Sequence, residues 1–258
     1  VSDGVVYVGS HDHNVYALDA STGAKVWSYT TGNIVYSSPA VSGGVVYAGS
    51  YDGDVYALNA STGAKVWSYF LGSPGCSSPA VIGGIVYEGS EGSIVYALNA
   101  STGEKVWSYM TNGLIYSSPA VSGGIVYIGS GDGVLYALDA STGADIWVFG
   151  TYPLHSSPAV SGGIVYLGSY DGNVFALNAS TGAKVWSSTT PCGVESPVVS
   201  GGTVYVGSLD GNIYAFRGTP TSIPIPEFPE SLLFLTVLVG VILAMLVERR
   251  LGRHPRPA

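Results

Sequence analysis

The chain has 258 residues, of which only 10% are charged, with 37 glycines, 19 tyrosines and a formal net charge of −8. A composition rich in glycine and aromatic residues excludes a disordered chain over most of its length and fits many short strands joined by tight turns. Residues 1–217 carry 14 acidic against 5 basic side chains, a formal charge of −9, so a phosphate-tracking surface is excluded and nucleic acid is not an expected partner.

A unit of about 40 residues returns along the chain. Its Gly-Ser pair stands at Gly9-Ser10, Gly49-Ser50, Gly89-Ser90, Gly129-Ser130, Gly168-Ser169 and Gly207-Ser208, at spacings of 40, 40, 40, 39 and 39. Its tryptophan returns at Trp27, Trp67, Trp107, Trp147 and Trp186. One such unit cannot bury both of its faces alone, so the copies must stack. They predict an all-β domain over 1–217, a β-propeller of about six four-stranded blades whose terminal blades are incomplete.

The second copy shows the whole unit. Residues 37–41 (SSPAV) are the predicted strand A, 45–49 (VVYAG) strand B, 54–59 (DVYALN) strand C and 65–69 (KVWSY) strand D, each alternating at period two. Ser42-Gly43-Gly44, Asp52-Gly53 and Ala60-Ser61-Thr62-Gly63 supply the turn chemistry between them. Val1 falls at strand B of the first copy, and the sixth copy stops after strand C at 213–216. A single stretch of about 20 residues ahead of Val1, half a period, would supply the missing A and D strands and close a ring of six. A longer precursor with seven or eight blades fits the same pattern.

From Gly218 the composition changes. Residues 218–230 include a proline-rich run (TPTSIPIPEFP) and read as a stiff linker. Residues 231–247 carry no charge, and a helix of that length spans about 26 Å, at the short end for a bilayer core. The basic stretch 248–258, with Arg249, Arg250, Arg253 and Arg256, follows at once. This order predicts a single-pass C-terminal transmembrane helix with a cytoplasmic tail and an extracellular propeller at the cell surface. The other reading, a core helix packed on the propeller, needs more apolar core than a finished propeller offers. Cys76 and Cys192 lie in different copies. They pair only if both lean toward the central axis, and two unpaired small residues is the simpler reading.

The unit resembles the pyrroloquinoline quinone (PQQ) enzyme repeat: a Gly-Ser hairpin, an Ala-Leu-Asp-Ala-x-Thr-Gly turn and a following tryptophan, as in Gly9 to Trp27 and its copies. The resemblance covers 1–217 and implies the propeller fold. It does not imply the cofactor, because the repeat also builds outer-membrane assembly scaffolds and archaeal surface proteins that bind no quinone. The tail is similar to the Pro-Glu-Phe sorting signals (PEF-CTERM) of archaeal surface proteins, through Pro226-Glu227-Phe228, the apolar stretch and the arginines after it. That similarity implies processing by an archaeosortase near residues 226–228.

In a propeller built this way, the D–A and B–C connections share one face, and the A–B and C–D connections the other. The second face is nearly uniform. The first varies, at the B–C turns and at the position three before each strand-A proline: Tyr36, Cys76, Tyr116, His155 and Val194. Loops on a rigid scaffold are where binding resides, although permissive loops also drift without a role. The candidate binding face comprises Tyr36, Tyr51, Asp52, Asp54, Glu91, Tyr116, Asp132, His155, Tyr170, Asp171, Glu195 and Asp210, acidic and aromatic with no Lys or Arg in those loops. For most of the Asp-Gly pairs turn formation is the better reading. His11-Asp12-His13 offers two imidazoles but no nearby third ligand for zinc, so an irregular hairpin tip is expected. Glu88 stands where other copies have Val8, Ala48, Ile128, Leu167 and Val206, a carboxylate with no evident partner in an apolar row. Asn59, Asn99 and Asn178 open glycosylation sequons at the C–D turns, where Asp19 and Asp139 hold the same place in other copies.

These features predict a non-catalytic surface propeller with no cofactor, binding a protein, glycan or cation through its acidic, tyrosine-bearing face. One alternative is a quinoprotein dehydrogenase holding PQQ with calcium, for which the family uses an adjacent cysteine pair and a stacking tryptophan. Another is a structural, S-layer-like envelope component.

Overall fold

In the computed structural model the chain divides into two units, Val1–Ser222 and Ile223–Ala258, and residues 1–217 are described. The linker, helix and basic tail expected at 218–258 lie outside the described residues. Within the described residues, no helix is long and apolar enough to cross a membrane.

Each copy of the repeat folds into one antiparallel sheet with its strands side by side in chain order, six sheets in all. In the second, strand A is Ala40–Ser42, B is Val45–Gly49, C is Asp54–Asn59 and D is Lys65–Phe70. The first sheet has only Val5–Gly9, Asn14–Asp19 and Lys25–Thr30, and so lacks strand A. The sixth has only Val198–Ser200, Thr203–Gly207 and Ile213–Arg217, and so lacks strand D. Strands B and C fall where the alternation places them, and Gly43 and Gly44 turn A into B with φ of 57° and 75°, the left-handed pair a two-residue hairpin requires.

Strand A is shorter than expected and begins three residues later, at Ala40 rather than residue 37. Pro39 has no N–H to give a ladder, and the two serines before it bond through their side chains instead. The Ser37 hydroxyl donates to the Gly49 carbonyl and accepts from the Gly49 N–H, both at 2.9 Å. The Ser38 N–H donates to Ser78 Oγ of the next sheet at 2.8 Å. The same step recurs from Ser78 to Ser118, Ser118 to Ser157 and Ser157 to Ser196 at 2.8–2.9 Å. The A strands of successive sheets lie side by side, so this serine belt joins five sheets along the innermost edge.

The core lies in the seams between sheets. Val15, Ala17 and Trp27 of the first sheet pack on Val46, Ala48, Tyr56 and Leu58 of the second, and equivalent clusters fill the following four seams. The first four seams are also clipped by hydrogen bonds. Trp67 Nε1 and the Tyr47 hydroxyl both donate to the carbonyl of Ala100 in the next sheet, at 2.9 and 3.1 Å. Trp27 with Tyr7 does the same to Ala60, Trp107 with Tyr87 to Ala140, and Trp147 with Tyr127 to Ala179. The tryptophan face lies against the turn glycine of the neighbour: a Cβ on Gly103 (φ +75°) would come within 2.7 Å of Trp67. This contact is why the Ala-Ser-Thr-Gly turn hardly varies. It makes the tryptophans anchors between blades.

Candidate functional site

The D–A and B–C loops meet on one side of the fold because the backbone sews them together. Each D–A loop donates to the B–C turn of the sheet before it, as Gly75 N–H does to Ser50 O at 3.0 Å. Each later B–C turn donates back to the D–A loop of its own sheet, as Glu91 N–H does to Pro74 O at 3.0 Å. Side chains from residues far apart in sequence therefore become neighbours on one rim.

Two aromatic runs form there. His11 lies 4.4 Å from Tyr36, ring centre to ring centre, and Tyr36 lies 5.1 Å from Tyr51. Further round, Tyr116 lies 5.1 Å from His155, and His155 lies 6.0 Å from Tyr170. Tyr36 and Tyr170 are 52% and 63% exposed, so these side chains are open to solvent. Between the runs stands Glu91, whose Oε1 accepts from the Tyr51 hydroxyl at 2.7 Å and from the Cys76 thiol at 3.1 Å. The Glu91 bond pushes the Tyr51 phenol well above its ordinary range. Burial, then the bond to Glu91, pushes the Cys76 thiol up to about 12, so it is a neutral donor and no nucleophile at physiological pH. Beyond Tyr170, a cleft of about 60 Å³ is lined by His155, Ser156, Tyr170, Gly193, Val194, Glu195 and Leu209.

The structure divides the predicted face in two. Tyr36, Tyr51, Glu91, Tyr116, His155, Tyr170 and Glu195 belong to the aromatic line and its cleft. The aspartates are committed to their own turns. Asp52 accepts from the Asp54 N–H, the Tyr56 hydroxyl and the Gly32 N–H at 2.6–2.9 Å. Asp132 accepts in the same way from Val134, Tyr136 and Asn112. Asp210 binds the Asn212 N–H and the Tyr214 hydroxyl, which holds its carboxyl below the usual range. Asp171 takes the Ser169 hydroxyl and the Asn173 amide, its sheet having Phe175 in the tyrosine position. Burial, then the Asp52 charge, pushes the Asp54 carboxyl up.

His11-Asp12-His13 forms the same turn as its counterparts. Asp12 accepts from the Asn14 N–H and the Tyr16 hydroxyl, and His13 takes the glycine position with φ of 71°. No group of three or more metal-ligating side chains is assembled among the described residues. Both cysteines are free thiols. On the opposite face, Asn59 Oδ1 accepts the N–H groups of Ser61 and Thr62, the work Asp19 and Asp139 do elsewhere. Asn99 and Asn178 repeat it.

Glu88 proves to have a partner. It is fully buried, and the Ser77 hydroxyl donates to its Oε1 at 3.1 Å, while Oε2 has no partner. The reason it is tolerated lies in Gly75. At the equivalent loop position Val35, Ile115, Leu154 and Val194 each push an aliphatic side chain against the strand-B glycine of the sheet before. Gly75 has none, and the Glu88 carboxyl fills that space, 2.6 Å from where a Cβ on Gly49 would lie. The signal was available in the column of residues 35, 75, 115 and 154; Val194, which counting back from the proline sets level with Tyr36, takes the Val35 place in the structure because its loop is one residue shorter.

A family model described as outer membrane protein assembly factor BamB matches residues 1–109 and 73–216. Among solved structures, BamB from Moraxella catarrhalis is 27% identical with a TM-score of 0.76, covering 86% of this chain and 73% of that one. The computationally designed Ika8 protein is 22% identical with a TM-score of 0.80, covering 88% and 72%. Sqt1 from Saccharomyces cerevisiae is 14% identical with a TM-score of 0.76, covering 87% and 69%. The last two share the fold alone. No similar sequence is found among curated proteins. Six meander sheets, the Trp-to-Ala clip and a family match spanning nearly all of the described residues lead to one conclusion: the chain belongs to the PQQ-like repeat β-propeller family described by the BamB model.

Proposed function

We propose that this chain is a non-catalytic binding scaffold, held at the cell surface by its C-terminal tail, that captures a protein, glycan or cation on the aromatic rim of its propeller. The observation that carries this reading is the rim itself: exposed tyrosines and histidines in ring contact, on loops whose backbones are fixed from both sides. Aromatic side chains bury a large area at small entropic cost, and a rigid platform lowers the cost of ordering them on binding. The opposite face is occupied by the repeated turns that clip sheet to sheet. The family description, an assembly factor, agrees with a scaffold role. The adjacent cysteine pair of the quinone enzymes is missing, since Cys76 and Cys192 belong to different repeats.

A peptide and glycan array at two salt concentrations tests the proposal. Binding that is lost in Tyr36→Ala and Tyr170→Ala, with the melting temperature kept, supports the rim. Silence across the array together with ordered lateral assembly favours an envelope lattice component, and tight stoichiometric uptake of PQQ with calcium, read by absorbance, would replace the scaffold by an enzyme. Protease accessibility of the propeller on intact cells tests its external location.

A further inference from the structure

The third repeat departs from its siblings at three polar positions that the fold brings close together. Where the second, fourth and fifth repeats have Tyr36, Tyr116 and His155, and the sixth Val194, it has Cys76; where the other copies have Val8, Ala48, Ile128, Leu167 or Val206, it has Glu88; and its B–C turn carries Glu91. The consequence is a break in the aromatic line. Tyr51 ends one run and Tyr116 begins the other, and these two rings make no contact with each other. Between them the aromatic side chain of the siblings is replaced by a thiol, and a carboxylate lies beside it. Burial, then the Glu91 charge and the Cys76 thiol, push the Tyr116 phenol up.

We infer that the break between Tyr51 and Tyr116 is a subsite for a planar cation, the guanidinium of an arginine on a partner chain, with Glu91 as its anchor. A guanidinium is flat, stacks on tyrosine faces and pairs with carboxylates in a fixed fork. Glu91 is already oriented by two neutral donors, the Tyr51 hydroxyl and the Cys76 thiol, so it need not be ordered when the cation arrives. Among the described residues no lysine or arginine lies in these loops, and Arg217, at the end of the last strand, bonds Thr203. The described lysines all stand at the first residue of D strands, at Lys25, Lys65, Lys105 and Lys184, beside the C–D turns. Beneath the subsite, the buried Glu88–Ser77 bond replaces the aliphatic plug of the other repeats and holds the segment from Gly75 to Ser77 against the sheet before it. Glu88 is thus a positioning residue, out of reach of the ligand.

This inference rests on the rim reading, and its test separates the two. Fluorescein-labelled peptides bearing arginine, lysine or citrulline in a neutral Gly-Ser context are titrated against the full chain, read by anisotropy. The arginine peptide should bind at least tenfold more tightly than the citrulline peptide, with lysine between them. Glu91→Gln should remove that preference, leaving the citrulline peptide unaffected. Cys76→Tyr, which restores the sibling residue, should block the site, while Cys76→Ala should keep the preference; the Ala variant serves if the Tyr variant fails to fold. Glu104→Gln, on the opposite face, should change nothing. Equal binding of arginine and citrulline peptides, or an arginine preference that survives Glu91→Gln, overturns the subsite. If the array still finds a rim ligand lost in Tyr36→Ala, the scaffold reading stands without it.

Discussion

Burial of Glu88 at the seam between the second and third sheets makes a quantitative prediction. The carboxyl is fully buried with one hydrogen bond, and burial raises its pKa well above the ordinary value, the Ser77 bond offsetting only part. A folded-state pKa raised above the unfolded one means stability that is complete below the unfolded pKa, near 4.3, and that is lost as pH rises through the folded one. Across that window the unfolded chain has released a proton the folded chain retains, so stability falls by about 1.4 kcal/mol per pH unit. Two units of the window amount to about 2.7 kcal/mol. Glu88→Gln keeps the acceptor for Ser77 and cannot ionise. Urea unfolding of both proteins between pH 5 and 8, followed by tryptophan fluorescence, should therefore show curves that diverge with pH, the wild type losing ground. Glu88→Ile with Gly75→Val rebuilds the sibling seam: a Cβ at Gly75 would meet Leu71 Cδ1 at 3.2 Å, a contact that a small shift relieves. The pair should abolish the pH slope and add about 1–3 kcal/mol by removing an unpartnered buried oxygen. Gly75→Val alone should cost about 1–3 kcal/mol through overpacking. Parallel pH profiles for wild type and Glu88→Gln would refute a neutral buried acid.

The clip between sheets predicts that Trp67→Phe, which removes the donor to Ala100 O, lowers stability by about 1–2 kcal/mol in urea unfolding. Gly103→Ala, against the same ring and at φ +75°, should cost more than the same change at Gly123, where nothing lies within 4 Å and only the left-handed backbone resists. Asp132→Ala leaves the Asn112 and Val134 N–H groups and the Tyr136 hydroxyl without their acceptor, so the melting temperature should fall while Asp132→Asn falls less. Asn59→Asp should leave the C–D turn and the stability unchanged, as Asp19 and Asp139 already serve there. Peptide mapping before and after deglycosylation of the wild type then reports whether the amide carries a glycan; unshifted masses at Asn59, Asn99 and Asn178 would remove that idea.

Much of the fold was legible because the copies repeat their turns. Asp-Gly, Gly-Gly and Ala-Ser-Thr-Gly delimit strands B and C to the residue, since each turn has one backbone solution. Strand A was misread because SSPAV alternates like a strand, yet Pro39 and the serine hydroxyls take its first three residues out of the ladder. The rim was legible as a column of variable positions. Its chemistry was only half legible, because a carboxylate on a loop looks the same whether it caps its own turn, as Asp52 does, or meets a neighbour's tyrosine, as Glu91 does. Glu88 was hardest to read alone, since the space it fills was created by a glycine 13 residues earlier, and such compensation shows only when two columns are compared at once.

The clip from tryptophan and tyrosine to the alanine carbonyl points forward in all four seams that have it: one sheet holds out two donors, and the acceptor belongs to the repeat that comes after it. On a ribosome, the newest sheet therefore waits with its grip open until its successor has emerged, and stabilisation trails synthesis by one repeat. A chain stopped just after any of its five tryptophan-bearing strands would expose the same thing at its end, an indole and a phenol seeking a carbonyl.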